Sequence, residues 1–574
     1  MNNSINSLAY SLPEELKNTV NTEINAWQTE DKISRLWSKD AALWTNEDEA
    51  KWLDWLDIVG QELKDVQKYA DFRADYEQSG FSDVLLLGMG GSSLGPEVFS
   101  VTFGKTNFHV LDSTVPAQIK AVESRIDLSK TLFIVASKSG STLEPNTFKQ
   151  YFYERVAETI GRENAGKQFV AITDPNSKMQ QVAERDDFRK IFFGLPAIGG
   201  RFSVLSVFGL IPAAVMGVEV EEFLKRTSEM VKACRKPEAA ENPGATLGAI
   251  LGVCHNSGRD KLTIFTSPEI HDSGAWLEQL IAESTGKNGV SIIPVDREPV
   301  QPAESYGNDR IFVYLKLENS SDSDLENRLL ELERSGQPVV RISLADKMNL
   351  GQEFFRWEFA TAVAGSIMRI NPFNQPDVES AKIEARKITE EYEKTGELPA
   401  EQPFYEENGV QLFTGEKYAS ELEQTRNGGD QSLMAYLKAH LSAVQPGDYF
   451  ALLAYVEMNG ETEHLLQEIR RQVLQNKHVA TCLGFGPRFL HSTGQAYKGG
   501  ANNGVFLQIT SDDAEDFPVP QQKFTFGVVK AAQARGDFQV LLDRNRRALR
   551  VHLGKDVKKG LELLRDVVRA AFEA

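Results

Sequence analysis

The sequence predicts an α/β fold with parallel sheets. Short apolar runs recur from residue 83 onwards, and stretches of helix length separate them. Each run ends in a turn rich in glycine, serine, proline or aspartate. Strands that are apolar on both faces are typical of parallel sheets covered by helices on both sides. We therefore expect two doubly wound lobes, the first with the runs VLLLGMG, FHVLDST, TLFIVAS and FVAITDP and the second with KLTIFTSP, VSIIPVD, IFVYLKL and VVRISL.

The chain is too long for a single hydrophobic core, since it has 574 residues. We expect four parts: an N-terminal helical segment (1–75), a first lobe (76–225), a second lobe (226–400) and a C-terminal α/β region (401–574). The last part contains the strand-like runs YFALLAYV, HVATCLGF, FLQIT and RALRVHL. Residues 387–409 are polar and acidic, which favours a connection or an exposed cover.

Composition excludes several kinds of protein. The formal net charge of -19 argues against nucleic acid, whose phosphate backbone requires a basic surface. Three scattered cysteines are too few for a disulfide framework or a zinc site, so we expect no metal. The first residues lack the basic and apolar parts of a signal peptide, and no apolar run is long enough to span a membrane. These features predict a cytoplasmic protein with no membrane partner.

Two motifs that follow strands are typical of anion binding. GMGGSSLGP begins at Gly88 and places Gly91 and Ser92 where backbone and hydroxyl groups can approach a sugar. SKSGSTLEP begins at Ser137 and concentrates hydroxyls and one ammonium at a strand-to-helix turn. Such a turn can hold a phosphate dianion, and its candidate residues are Ser137, Lys138, Ser139 and Thr142.

Two further motifs carry a cation and a carboxylate. GGRFSVLS places Arg201 after two glycines and before an apolar stretch, and a buried guanidinium needs an anionic partner. In EQLIAESTGKNG, Gln279 and Glu283 are four residues apart and share one helix face. A carboxylate in this position is a candidate general base.

The last two motifs supply an ammonium and an imidazole. NPFNQPDVESAK contains Gln375 and Lys382, and Pro376 suits the first position of a helix. LHSTGQAYKGG contains His491, and Gln495 lies four residues later on the same potential face. Imidazole is suited to moving protons near neutral pH.

The first five of these motifs, in this order over residues 88 to 382, resemble those of the phosphoglucose isomerase family. The N-terminal helices and the region after residue 400 resemble the isomerase half of bacterial fusions of transaldolase with that enzyme. The resemblance implies two SIS-type lobes, no cofactor, a phosphosugar substrate and the interconversion of glucose 6-phosphate and fructose 6-phosphate in glycolysis and gluconeogenesis. It also implies a possible homo-oligomer.

The resemblance assigns a role to each candidate. Glu283 would move the proton, Arg201 would stabilise the enediolate, and Lys382 would assist at the ring. Gln279 and Gln375 would contact the substrate. The family places its ring-opening histidine between the glutamate and lysine motifs, where this sequence has none. Either His491, which follows the lysine motif and matches the family's histidine segment locally, supplies that group, or ring opening is done differently. We expect the first.

Two alternatives remain open. One is a dual phosphoglucose/phosphomannose isomerase, because the stereochemical preference at C2 of the sugar depends on details of the pocket. The other is a phosphosugar-sensing module, which would need the SKSGST loop but no base. The combination of Glu283, Arg201 and Lys382 argues against the sensor.

Overall fold

The computed structural model describes residues 5–426 and 430–573. The chain divides into two compact units, each formed from three segments. The first unit comprises Met1–Asp112, Val122–Thr285 and Ile311–Asn374, and the second comprises Ser113–Ala121, Gly286–Arg310 and Gln375–Ala574. The four-part division expected from the sequence stays a prediction.

The strands are short and mostly buried. They are β1 (Ser7–Ser11), β2 (Asp83–Leu87), β3 (Phe108–Leu111), β4 (Thr131–Ala136), β5 (Phe169–Thr173), β6 (Lys190–Phe193), β7 (Lys261–Thr266), β8 (Ile293–Asp296), β9 (Arg310–Leu317), β10 (Val339–Leu344), β11 (Tyr405–Glu407), β12 (Val410–Phe413), β13 (Tyr449–Ala454), β14 (Ala480–Phe485), β15 (Gly504–Ser511) and β16 (Arg547–Leu553).

Helices connect and cover these strands. They are α1 (Glu14–Thr29), α2 (Lys32–Trp37), α3 (Ile58–Lys64), α4 (Gln67–Gln78), α5 (Leu94–Thr102), α6 (Pro116–Glu123), α7 (Leu143–Ile160), α8 (Arg162–Ala165), α9 (Lys178–Arg185), α10 (Val207–Val215), α11 (Val220–Cys234), α12 (Pro243–Asn256), α13 (Ser273–Thr285), α14 (Ser323–Arg334), α15 (Leu350–Met368), α16 (Pro376–Thr395), α17 (Glu416–Thr425), α18 (Leu433–Ser442), α19 (Gly460–Lys477), α20 (Gly494–Gly499), α21 (Phe526–Asp543) and α22 (Val557–Glu573).

The first sheet has the strand order β3-β2-β4-β5-β6, and all its pairings are parallel. From β2 the chain moves to β3 on one side and then returns to β4, β5 and β6 on the other. The strand order therefore reverses between β2 and β4. In open parallel sheets, ligands bind beyond the carboxyl ends of the strands at such a switch point.

In the second sheet, the strands of the first unit lie in the order β1-β10-β9-β7. The pairing of β10 with β9 is parallel, whereas β1 pairs with β10 antiparallel. Strand β1 lies within the N-terminal segment and was not expected there, whereas the predicted helical character of that segment is present in α1 to α4. The side chain of Asn6 donates to the carbonyl of Asn349 and to the Glu353 carboxylate, and these bonds hold the strand in place.

The second unit contains a sheet with the order β11-β12-β16-β15-β13-β14. Strands β13 to β16 pair in parallel, and β12 joins their edge antiparallel. The prediction of a C-terminal α/β region is confirmed. In the polar stretch after residue 387, α16 continues to Thr395 before the connection begins. No helix in the described ranges, 5–426 and 430–573, is long and apolar enough to cross a membrane.

Candidate active site

Two predicted binding motifs flank the switch point of the first sheet. GMGGSSLGP follows β2, and SKSGST follows β4, which is the strand next to β2. Both loops therefore lie at the carboxyl edge of the sheet, where the strand order reverses. The positions of Gly91, Ser92 and Ser137 to Thr142 match the place that ligands occupy in sheets of this kind.

The SKSGST loop leaves hydrogen-bonding groups for an anion. The Ser137 hydroxyl is buried and has no hydrogen-bond partner among the residues that the structure describes. Such an unsatisfied hydroxyl requires an explanation, and a bound oxygen would satisfy it. Thr142 precedes α7 without a side-chain hydrogen bond to the helix start, so its first turn receives no cap from that residue. Helix N-termini attract anions through their N–H groups.

Lys138 is already engaged within the protein. Its ammonium donates to the Asp174 carboxylate at 2.8 Å and to the Leu195 carbonyl at 3.0 Å. Burial lowers the pKa of Lys138, and the Asp174 charge opposes that effect. The ammonium thus fixes the loop against the residues after β5 and β6. The Ser139 and Ser141 hydroxyls, 2.8 Å apart, complete the turn.

Glycines bring two loops of the first unit into close approach. A Cβ at Gly91 would lie 1.9 Å from the Gly200 carbonyl oxygen and 3.0 Å from the Arg201 nitrogen. Only glycine fits there, since real Cβ atoms do not make such contacts. Helix α13 packs against both loops. The glycines before Arg201 and in GMGGSS thus allow both loops to lie against the helix that carries Glu283.

Arg201 and Glu283 form a buried pair. Their closest atoms, Nη1 of the guanidinium and Oε2 of the carboxylate, lie 3.7 Å apart. The guanidinium also donates to the Ser284 hydroxyl and to the carbonyls of Pro372 and Asn374, at 2.7, 2.6 and 3.0 Å. Burial lowers the pKa of Arg201, and the Glu283 charge opposes that effect.

The expected helix spacing brings Gln279 to Glu283. The Gln279 amide donates to Oε2 of Glu283 at 3.1 Å, and both side chains are buried. The Oε2 atom of Glu283 thus accepts a hydrogen bond from the amide and lies 3.7 Å from the guanidinium. A buried carboxylate with fixed partners is suited to accept a proton at a defined position.

Gln375 and Lys382 lie on α16, in the second unit. The helix begins at Pro376, as its sequence predicts, and Gln375 is the residue that precedes it. Lys382 is 41% exposed and pairs with Glu379 at 2.7 Å. An exposed pair of this kind contributes little to stability, so the ammonium can exchange its partner for a ligand.

His491 lies in the second unit, at the end of a short 3₁₀ turn that follows β14 and contacts α16. The expectation that His491 and Gln495 share one helix face is wrong, because the 3₁₀ turn ends at His491 and α20 starts only at Gly494. Gln495 has a structural task instead. Its amide oxygen accepts from the N–H groups of Asp377 and Val378 at 2.9 and 3.2 Å.

Sequence reasoning missed the partners that orient the site residues. Ser284 follows Glu283 directly and holds Nε of Arg201, and the carbonyl of Asn374 in NPFNQ receives the same guanidinium. Ser284 and Asn374 could have been noticed because they lie in the same motifs as the predicted residues. A backbone carbonyl that accepts a hydrogen bond, however, cannot be recognised from residue type. The roles of the predicted site residues stay predictions.

Curated relatives share part of the sequence. A probable glucose-6-phosphate isomerase of Methanococcus maripaludis is 28% identical, over 57% of this chain and 82% of the relative. A glucose-6-phosphate isomerase of Methanocaldococcus jannaschii is 27% identical, over 53% and 83%. Among solved structures, a hypothetical protein from Thermus thermophilus aligns with a TM-score of 0.55 and 23% identity, over 66% of this chain and 99% of that one. That structure supports the fold.

The fold and the site define a class of doubly wound α/β enzyme, with an anion-binding loop and a buried carboxylate beside a guanidinium. The family model of phosphoglucose isomerase matches residues 61–298. This stretch contains both anion-binding motifs, Arg201, Gln279 and Glu283. This part of the chain is similar to the phosphoglucose isomerase family.

Proposed function

We propose that this protein interconverts glucose 6-phosphate and fructose 6-phosphate through ring opening and a cis-enediolate. The observation that carries the proposal is the buried Glu283 carboxylate, set 3.7 Å from the Arg201 guanidinium. An aldose-ketose isomerase needs a base for the proton that moves between C1 and C2, and a cation for the oxyanion that develops. The names of the curated relatives support the same reaction.

The phosphate would bind at the SKSGST loop. The unsatisfied Ser137 hydroxyl, together with Ser139, Thr142 and the N-terminus of α7, supplies donors for its oxygens. Lys138 would contribute positive charge from its place against Asp174. Gly91 and Ser92, in the neighbouring loop, would contact the sugar. Binding a group remote from the reacting carbons provides the energy that positions them.

Glu283 would remove the proton from C2 of the open chain and return it to C1. Gln279 would orient the carboxylate, because its amide already donates to Oε2. Arg201 would face the negative charge that forms on the enediolate oxygens. Its bonds to Ser284 and to two carbonyls hold the guanidinium in place before reaction, so little reorganisation is needed.

His491 and Lys382 would open the ring, and Gln375 would contact the substrate. This step requires a proton to reach the ring oxygen and another to leave the C1 hydroxyl. Imidazole suits that exchange near neutral pH, and the ammonium of Lys382 is exposed enough to approach a ligand. We place the activity in the cytoplasm, and a homo-oligomer remains part of the proposal.

The test is turnover of fructose 6-phosphate in an assay coupled to glucose-6-phosphate dehydrogenase. We expect turnover with fructose 6-phosphate and incorporation of solvent deuterium at C2 of recovered glucose 6-phosphate. Mannose 6-phosphate should be converted far more slowly. Comparable rates with both aldoses would support the dual isomerase, and binding without any deuterium exchange would overturn the catalytic proposal in favour of a sensor.

A further inference from the structure

The second unit has a switch point of its own. From β13 the chain crosses to β14 on one side, and it then returns past β13 to β15 and β16 on the other. The strand order therefore reverses between β13 and β15, whose pairing is parallel. The loops after these two strands separate at that point and leave a crevice at the carboxyl edge of the sheet.

A cavity of about 400 Å³ lies in this crevice. Its walls come from the loops that follow β13, β15 and β16, and from the segment that leads into α6. A hydrogen bond within the unit connects the segment that contains α6 to the loop after β13: the Met458 N–H donates to the Gln118 amide oxygen at 2.9 Å. The volume lies within the range of small-molecule sites.

The cavity is separate from the residues proposed for isomerisation. Among the residues that the structure describes, those lining it include none of the candidates for base, phosphate binding or ring opening. A ligand in this cavity would serve a function additional to the proposed isomerisation.

The lining combines an apolar wall with groups for hydroxyls and for an anion. The apolar part is formed by Val115, Pro116, Val456, Phe517 and Val557. Such a surface suits a planar ring. The carboxylates of Glu457 and Asp512 lie in the loops that follow β13 and β15, where carboxylates can accept hydrogen bonds from sugar hydroxyls.

Lysines in the lining provide positive charge. Lys120 pairs with Glu515 and Lys558 pairs with Glu461, and these four side chains are more than half exposed. Exposed pairs are weak and exchange readily. Lys555, which follows β16, adds a third ammonium. Five carboxylates share the lining, those of Glu457, Glu461, Asp512, Asp513 and Glu515.

We propose that this cavity binds a nucleoside monophosphate. The base would lie on the apolar wall, the ribose hydroxyls would donate to Asp512 and Glu457, and Lys555 would pair with the phosphate. The excess of carboxylates over lysines favours one phosphate group over three, because each added charge would face the acidic loop after β15. The ligand thus needs all three parts: base, ribose and a single phosphate.

The experiment is isothermal titration of the full chain with AMP, GMP, CMP and UMP in magnesium-free buffer. We expect at least one of them to bind about tenfold more tightly than its nucleoside, ribose 5-phosphate or the matching triphosphate. Lys555→Gln should weaken that binding about tenfold, whereas Lys559→Gln, at an exposed position outside the lining, should leave it unchanged. Ala514→Trp should block the cavity and abolish binding.

The active site provides the second control. Saturating 6-phosphogluconate should leave nucleotide binding unchanged, and Lys555→Gln should leave fructose 6-phosphate turnover unchanged. The proposal is overturned if no nucleotide binds at millimolar concentration, if Lys555→Gln and Ala514→Trp bind normally, or if 6-phosphogluconate displaces the nucleotide. Because the readout is binding, it does not depend on whether the isomerase activity is found.

Discussion

At the scale of single residues, Glu283 and Arg201 form a buried pair of opposite charges. Burying either charge alone would cost free energy. Each charge offsets the desolvation of the other, and the remaining guanidinium donors are used by Ser284 and by two carbonyls. The 3.7 Å separation leaves the carboxylate without a direct hydrogen bond from the guanidinium. In the proposed mechanism, Glu283 would approach a substrate carbon while Arg201 would face the adjacent oxygens.

We expect Glu283→Gln to lower kcat by at least about 100-fold, because the amide keeps the shape of the side chain but cannot accept the proton. KM should change little. Steady-state kinetics in the coupled assay would measure both values. Glu278→Gln, on the same helix, is the matched control, and near-normal turnover in Glu283→Gln would remove this residue from the mechanism.

Ser137→Ala tests the anion loop. The hydroxyl has no partner among the described residues, so its removal should leave the melting temperature unchanged. Affinity for 6-phosphogluconate should fall about tenfold, since a hydrogen bond to a charged group contributes about 1.5–3 kcal/mol. Calorimetric titration would measure that affinity, with Ser129→Ala as a control outside the loop. Unchanged affinity would contradict a phosphate at Ser137.

His491→Ala should lose much more activity on the cyclic sugar than on an open-chain analogue. The reason is that ring opening would be impaired while proton transfer through Glu283 continues. His464→Ala, at a side chain that is 73% exposed, is the control. Stopped-flow assays with both forms of the substrate would distinguish the steps, and equal losses on both would count against the ring-opening role.

At the scale of elements, the start of α16 depends on a residue more than a hundred positions away. Gln495 accepts from the first N–H groups of the helix and donates to Asp377 Oδ2 and to the Gly286 carbonyl, both at 2.7 Å. It is fully buried. Gln495 therefore replaces a local cap for the helix that carries Lys382.

We expect Gln495→Ala to destabilise the protein by about 2–4 kcal/mol, because buried donors and acceptors lose their partners. Gln495→Glu keeps the acceptor for the helix N–H groups but places a second carboxylate against Asp377, so it should also destabilise. Urea unfolding would measure both variants. Gln539→Ala, which removes an exposed contact with Asp543, should be nearly neutral; equal stability of all three variants would show that the cap is unimportant.

At the scale of the whole molecule, buried titratable groups link folding to pH. His440 is fully buried in the second unit, and its Nδ1 lies 2.9 Å from the Tyr418 hydroxyl. Burial is the main cause that lowers the pKa of His440 to about 3, and the nearby charge of Arg547 adds to it. The unfolded chain, with an ordinary histidine pKa of about 6.5, binds the proton more readily.

Stability should therefore fall as the pH drops from about 6.5 towards 3, and above that window the contribution of His440 is fully present. The slope from this group is about 1.4 kcal/mol per pH unit. His440→Gln keeps a polar partner for Tyr418 but cannot titrate, so its stability should depend less on pH. Urea unfolding between pH 5 and 7 would compare the slopes, and identical slopes would refute the linkage.

Much of the architecture could be read from local sequence. The apolar runs predicted strands β2, β4, β5, β13 and others because strands buried on both faces need such runs. Pro376 predicted the start of α16, and the spacing of Gln279 and Glu283 predicted their contact. The N-terminal strand was missed because β1 is an exposed edge strand, held by an Asn6 contact with residues far along the chain.

The sequence by itself determined the fold class, the order of the motifs and the choice of Glu283 as the candidate base, because these depend on periodicity and on residue type. Only the tertiary structure decided that Lys138 faces Asp174, that Gln495 caps α16 and that a cavity lies after β13 and β15. Each of these features depends on hydrogen bonds or close approaches between distant segments. Such contacts follow from how the elements pack, which no local pattern records.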